Sequence, residues 1–134
     1  MQDYHRLHVW QKAHAVSLDI RRATRAFPRR EAEDLAEQLR DAAHSVPSNI
    51  VEGAAKPGDK EFRRFLDIAR SSASETSYHL QSAHELGYLG DTLYGDLSGR
   101  MMEVRRMLGG LINTVSASLD RPRTARPRKR HPPR

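Results

Sequence analysis

The chain contains no cysteine, and this single absence removes several kinds of site. Disulfide frameworks, thiolate zinc sites and cysteine nucleophiles are excluded. No stretch approaches the roughly 18 apolar residues that a membrane span requires. The segment from Met1 to Trp10 also lacks the apolar core of a signal peptide. We therefore expect a cytoplasmic protein with no membrane partner.

The common motifs of metal and phosphate sites are missing as well. Neither His-Glu-x-x-His nor the paired Glu-x-x-His motifs of di-iron bundles occurs. His5 and His8 are three residues apart, and His79 follows Glu75 by four. Scattered surface histidines explain these spacings better than a set of ligands does, and there is no glycine-rich phosphate loop. We expect no metal ion and no cofactor.

Serines are concentrated in residues 71–77, in the middle of a predicted helix. A catalytic serine needs a base and a group that orients the base. The nearest histidine, His79, fits no recognised pattern of this kind. Small residues here are typical of a close approach between helices, and we expect no enzymatic activity.

Charge is placed very unevenly along the chain. Of the 23 Lys and Arg residues, 16 precede Asp120, where 16 of the 17 Asp and Glu residues balance them. The net charge of +6 therefore comes from the C-terminal segment. A sequence pI of about 10.2 describes that segment, and it is no argument for nucleic-acid binding by the rest of the chain.

Four segments carry apolar residues at alternating spacings of three and four, the pattern of amphipathic helices. Proline and glycine lie between them, where helices tend to end. The predicted helices cover about residues 7–26, 31–54, 60–86 and 92–119. Asp59 is a predicted N-cap for the third helix, and Gly87 a predicted left-handed residue just beyond its end.

The second predicted helix contains Pro47, which removes one backbone hydrogen bond and crowds the preceding turn. The apolar stripe continues on both sides of the proline, which favours one kinked helix over two separate ones. Short loops then give an all-α fold, an antiparallel up-down-up-down four-helix bundle over residues 1–119. Residues 120–134 are predicted to be a disordered tail rich in Arg and Pro.

The tail is the strongest candidate for nucleic-acid contacts, because its cations can bind phosphates and release counterions. The alternative is a solubilising tail with no specific target. No aromatic residue is interleaved there, so base stacking is not expected. The candidate nucleic-acid-binding residues are Arg121, Arg123, Arg126, Arg128, Lys129, Arg130 and Arg134.

Two further basic groups precede the tail, and each is also typical of a solvated face. One lies around the end of helix 1 and the other around the start of helix 3, and we expect both at one end of the bundle. They are Arg21, Arg22, Arg25, Arg29 and Arg30, and Lys56, Lys60, Arg63 and Arg64.

Five stretches of the chain, in this order, resemble the family of small four-helix proteins encoded in intervening sequences of bacterial 23S ribosomal RNA genes. The resemblance spans about Tyr4 to Leu119. The stretches are LHVWQKA (7–13), FP (27–28), QLRDAAHSVPSNIVEG (38–53), EFRRFLDIAR (61–70) and ELGYL (85–89).

The resemblance implies a bundle assembled as a ring, typically a homopentamer. It also implies kinship with the accessory variability proteins of diversity-generating retroelements, which bind nucleic acid and a reverse transcriptase. For most of the family no biochemical activity is established. The chain departs from the family at Arg40-Asp41, where paired arginines are common, and that departure weakens any phosphate-binding surface carried over. The basic tail is not part of the family pattern.

The polar residues around the proline are expected to be architectural, including at subunit contacts. Ser48 and Asn49 are expected to satisfy backbone groups loosened by Pro47, and Glu52 to pair with a basic residue such as Arg40. The alternative is a polar site at the kink that holds a partner. The adjoining Gly53 is grouped with these structural residues.

Aromatic residues exceed what one narrow apolar stripe requires. Trp10, Phe62 and Phe65, together with Ile68, indicate a wider apolar face that is buried in the bundle or between subunits. Burial between subunits is favoured for Phe65.

Two functions follow from these features. The leading hypothesis is a non-enzymatic, ring-forming protein that binds nucleic acid, RNA rather than DNA, through charge. The alternative is a protein-interaction scaffold in which the ring holds a protein partner and nucleic acid has no role.

Overall fold

The structure is a computed structural model that describes residues 2–120, and it is built of helices. Its four α-helices confirm the predicted all-α class, and their bounds lie within two residues of those predicted. No strand occurs in the described range. None of its helices is long and apolar enough to cross a membrane. A 3-10 helix, Tyr4–Arg6, precedes α1 (His8–Thr24), α2 (Arg29–Ala54), α3 (Asp59–Glu85) and α4 (Asp91–Asp120).

The helices form an antiparallel bundle. Each packs on its neighbours in sequence, α1 also packs on α4, and α1 lies diagonally opposite α3. Connections of four or five residues force successive helices to run in opposite directions. Along α1 and α4, Lys12 pairs with Glu103 and Asp19 with Arg100, so these two helices are antiparallel as well. The topology is therefore up-down-up-down.

This topology separates the two basic groups that were expected to meet. The α1–α2 turn lies at one end of the bundle, and the α2–α3 turn at the other. The expectation that both basic groups share one end is therefore wrong, because the end of α1 and the start of α3 lie at opposite ends of the bundle. The C-terminal end of α4 lies beside the start of α3, where Ser118 donates a hydrogen bond to the Asp59 carboxylate at 3.1 Å.

The core consists of the predicted apolar stripes. Ala13, Ala43, Ala69 and Ala73 are fully buried, and such small side chains let neighbouring helices approach closely. Burial of each larger aliphatic side chain contributes about 1.5–3 kcal/mol. The largest fully buried apolar side chains are Ile20, Leu39, Ile50, Leu66, Leu80, Leu97, Met101 and Leu108.

The two ends of α3 test the predicted caps. The N-cap is Gly58, and no side chain caps the helix, so the prediction of Asp59 is wrong; that residue is already helical. The predicted left-handed conformation of Gly87 is confirmed by its φ of 83°. Its amide donates to the carbonyl of His84, and the amide of Tyr88 donates to that of Ala83, a paired arrangement that closes the helix end.

Candidate functional site

The α2–α3 seam is the line along which these two helices meet, and Gly53 packs tightly against α3 within it. A Cβ atom at this position would lie 2.9 Å from the Cβ of Phe65 and 3.0 Å from Cδ1 of Phe62. The backbone carbonyl of Phe62 would be only 3.3 Å away. Gly53 is the penultimate residue of α2, and its missing side chain allows the two helices to pack closely there.

The ring of Phe65 is half-buried in the same seam. The Nζ atom of Lys56 lies 5.4 Å from its centroid, and the guanidinium carbon of Arg64 lies 4.5 Å away. Both distances fit cation–π contact, in which the negative face of an aromatic ring attracts a cation. Phe65 is thus packed against its own chain, and its burial between subunits stays a prediction.

Pro47 is buried within a single continuous α2, as the unbroken apolar stripe indicated. Nearby, the side-chain amide of Asn49 donates to the backbone carbonyl of Ser45 at 2.8 Å and to its hydroxyl at 2.9 Å. That hydroxyl also bonds to the hydroxyl of Ser72 on α3, at 2.8 Å. Asn49 therefore supports the backbone beside the proline and joins a small polar network that reaches across the seam. Ser48 is half-buried and makes no side-chain hydrogen bond within residues 2–120.

The predicted ion pair between Glu52 and Arg40 is wrong. Twelve residues of helix separate them by about 18 Å. Arg40 instead faces α1, where it donates to the hydroxyl of Thr24 at 3.2 Å and lies 3.6 Å from the carboxylate of Glu33. Glu52 is exposed and forms no ion pair with any other described residue.

Trp10 lies near the start of α1, at the end of the bundle where the α2–α3 turn is found. Its ring is half-buried and stacks on His14, with centroids 4.8 Å apart and planes within 9°. Tyr4, in the 3-10 helix, meets the same ring edge-on at 4.8 Å. This helix was not predicted. The carboxylate of Asp3 caps this 3-10 helix by accepting from the backbone amide of His5. The same carboxylate also bonds to the imidazole of His5, and that bond is the main reason that the pKa of Asp3 is lowered.

The sequence-selected residues therefore fall into separate places. Trp10 lies on α1. Arg40 lies in the first half of α2 and faces α1 rather than α3. Gly53, Phe62 and Phe65 meet in the α2–α3 seam, and Asn49 adjoins it through its bond to the Ser45 hydroxyl. Pro47 shares a face of α2 with Arg40, two helical turns away. Ser48 and Glu52 lie on α2 and make no side-chain hydrogen bond or ion pair with another described residue. The predicted nucleic-acid-binding residues, from Arg121 to Arg134, lie outside the described residues.

The seam carries no recognisable catalytic or metal constellation. His79 is mostly buried and bonds to the carboxylate of Glu75 at 3.2 Å. The hydroxyl of Ser72 is hydrogen-bonded to that of Ser45. Over residues 2–120, no three His, Asp or Glu side chains are grouped so as to hold a metal ion. The geometry of the seam is that of close packing between two helices.

These features define a small antiparallel four-helix bundle protein with a glycine-tightened α2–α3 seam. Residues 5–110 match the family model of the 23S rRNA-intervening sequence proteins. The chain belongs to that family, which confirms the resemblance seen in the sequence. Kinship with the accessory variability proteins stays a prediction.

The comparisons with other known proteins concern the fold. No curated protein matches the chain. A solved structure that matches is a protein of unknown function from the S23 ribosomal protein family of Bacteroides thetaiotaomicron. The TM-score is 0.72 and the identity 23%, over 78% of this chain and 97% of that one. At this identity the similarity establishes a shared fold.

Proposed function

We propose that the protein is a cytoplasmic, non-enzymatic, ring-forming four-helix bundle that binds nucleic acid, RNA in particular, through its basic C-terminal segment. The observation that carries the proposal is the segregation of charge. Before Asp120 the chain is formally neutral, and the seven cations that follow are opposed by no carboxylate side chain. Within α1 and α4, by contrast, cations such as Lys12 and Arg100 are used in ion pairs.

A dense run of Arg and Lys is suited to the phosphate backbone rather than to base edges. Each phosphate contact releases condensed counterions, so affinity falls steeply as salt rises. For single-stranded RNA, seven contacts correspond to a slope of up to about −5 in a plot of log affinity against log salt. Such binding is expected to be tight at low salt and largely independent of sequence.

The proposal includes assembly into a ring, a homopentamer by analogy with the family resemblance. Exposed apolar side chains on α3, Ile68 and Tyr78, offer surface for contact between copies. Several basic segments on one assembly bind a long RNA with an effective concentration set by their spacing. The ring thus converts weak phosphate contacts into useful affinity.

The test measures RNA binding by the full chain and by a chain that ends at Asp120, over a salt series, with the mass of each form determined in solution. A full-length variant with all seven tail cations replaced by Gln controls for length. We expect binding with a steep salt dependence that both altered chains lose while their assembly stays intact. RNA affinity that is unchanged in both would refute the role of the tail.

A second candidate is a protein-interaction scaffold without a nucleic-acid role. Six large apolar side chains are exposed on the described surface, including Leu86 at 61% and Met102 at 50%. They give a protein partner apolar area on several helices. A stable ring with no RNA affinity near physiological salt would favour this function.

A further inference from the structure

A cleft lies between the end of α1 and the first three turns of α2, at the end of the bundle opposite Asp120. Its volume is about 380 Å³, within the usual range for small-molecule sites. Its lining is mainly polar, and the apolar residues Phe27, Ala32 and Ala36 that adjoin it are almost fully buried.

The walls of this cleft are strongly basic. Arg25, Arg29 and Arg40 all line it, and Glu33 is the only carboxylate among the lining side chains. Arg25 and Arg29 make no ion pair or side-chain hydrogen bond with other described residues. The lining thus includes three arginines and one carboxylate, an excess of two positive charges.

One of the three guanidinium groups is held in position. The Thr24 hydroxyl, itself buried, donates to the carbonyl of Arg21 at 2.8 Å. Its oxygen then accepts from Nη1 of Arg40 at 3.2 Å. Arg40 lies 3.6 Å from Glu33, beyond good hydrogen-bond distance. Donors of the Arg40 fork therefore remain for a ligand, in an orientation fixed by the threonine.

The backbone adds to the positive potential of the cleft. Helix α2 starts directly after Pro28, a lining residue, and no side chain caps it. The first amides of a helix have no intrahelical acceptor and carry the positive end of the helix dipole. This contribution is secondary to the three arginines.

We propose that the cleft binds a phosphate monoester, with the three arginines contacting the phosphate. A phosphate monoester carries about −1.5 to −2 charges near neutral pH, which matches the excess charge of the walls. Planar guanidinium groups also bind phosphate oxygens in a bidentate manner. The ligand is either a free nucleotide-like molecule or the 5′ end of an RNA. The proposal does not depend on the role of the C-terminal segment.

The first experiment measures binding of a nucleoside 5′-monophosphate to the full chain by calorimetry. The double variant Arg25→Gln/Arg29→Gln removes two wall cations. The matched control, Arg21→Gln/Arg30→Gln, removes two exposed cations at the same end that do not line the cleft. Charge-assisted hydrogen bonds are strong enough that we expect a loss of about tenfold or more in the first variant, and little change in the control. Circular dichroism establishes that both variants fold.

The second arm distinguishes the two sources of phosphate. Wild-type protein is titrated with one short RNA that carries either a 5′-phosphate or a 5′-hydroxyl group. A preference for the phosphorylated RNA that disappears in Arg25→Gln/Arg29→Gln assigns the cleft to RNA ends. No preference, with nucleotide binding retained, assigns it to a free ligand.

Two outcomes overturn the proposal. One is the absence of nucleoside monophosphate binding by the wild-type protein. The other is an equal loss of binding in both double variants, since charge at that end of the bundle would then suffice. The variant with seven tail cations replaced by Gln keeps the two proposals apart, because its nucleotide binding is expected to be intact even where its RNA binding is lost.

Discussion

The two opposite sides of the bundle are held together by different forces. Along the α2–α3 seam, Gly53 brings backbone and aromatic side chains into direct contact, and a half-buried hydroxyl pair, Ser45 with Ser72, crosses between the helices. Along the α1–α4 seam, half-exposed ion pairs link the helices, Lys12 with Glu103 at 2.8 Å and Arg100 with Asp19 at 2.9 Å. The first side depends on shape and the second in part on charge.

This difference predicts how each side responds to change. Close-packed interiors transmit even one added methyl group, whereas exposed ion pairs contribute roughly 0–1 kcal/mol and are screened by salt. Substitutions in the α2–α3 seam should therefore have large effects that salt does not alter. Those in the α1–α4 seam should have small effects that depend on pH and salt.

The largest effect is expected for Gly53→Ala. The new Cβ would meet the Cβ of Phe65 at 2.9 Å, and that atom cannot move without its backbone. We expect a loss of about 1–3 kcal/mol in the free energy of unfolding, the usual cost of overpacking. Urea denaturation at low and high salt provides the measurement, and the loss should be the same at both. Unchanged stability would show that the two helices can separate at little cost.

Gly99→Ala is the matched substitution on the other side. Gly99 lies within α4, and a Cβ added there meets nothing within 4 Å. Since alanine favours the helix by up to about 1 kcal/mol, we expect a gain of that size in the same denaturation experiment. A loss of stability would mean that another copy of the chain fills this space in the assembled protein.

The same contrast explains what the sequence predicts well. Helix bounds follow from apolar spacing, a local property, so all four were found. The continuity of α2 through Pro47 was found because the stripe resumes beyond the proline. Gly53 was grouped with the structural residues beside Pro47, but its contact with Phe65 is a property of two packed helices, and no spacing reveals it.

The wrong predictions likewise concern contacts that depend on how the helices pack in three dimensions. Pairing Glu52 with Arg40 ignored the length of helix between them, and the position of Arg40 facing Thr24 depends on how α1 packs on α2. The arginine cleft was missed for the same reason, because Arg25 and Arg40 are distant in sequence. A signal did exist, namely basic residues around Pro28 at a helix start that lacks a capping side chain.

The smallest effect is expected for Asp19→Asn in the α1–α4 seam. Hydrogen bonding from Arg100, and secondarily from Arg22, holds the pKa of the Asp19 carboxyl below its ordinary value of 3.8. Because the pKa of Asp19 is lower in the folded state, the ionised carboxylate stabilises the protein at pH values above the ordinary pKa. This stabilisation disappears as the pH falls through the lowered folded-state pKa. Because Asp19 is 39% exposed, we expect a loss of only about 0.5 kcal/mol near neutral pH.

The measurement compares unfolding free energies of wild type and Asp19→Asn at neutral pH, at pH 5 and in strong acid. The difference should be constant over the first two and shrink towards zero in acid, where the wild-type carboxyl is also neutral. Asp41→Asn is the control, since Asp41 is exposed and forms no ion pair with another described residue, and it should leave stability almost unchanged. A loss in Asp19→Asn that persists in acid, or that matches Gly53→Ala in size, would show that shape rather than charge holds the α1–α4 seam.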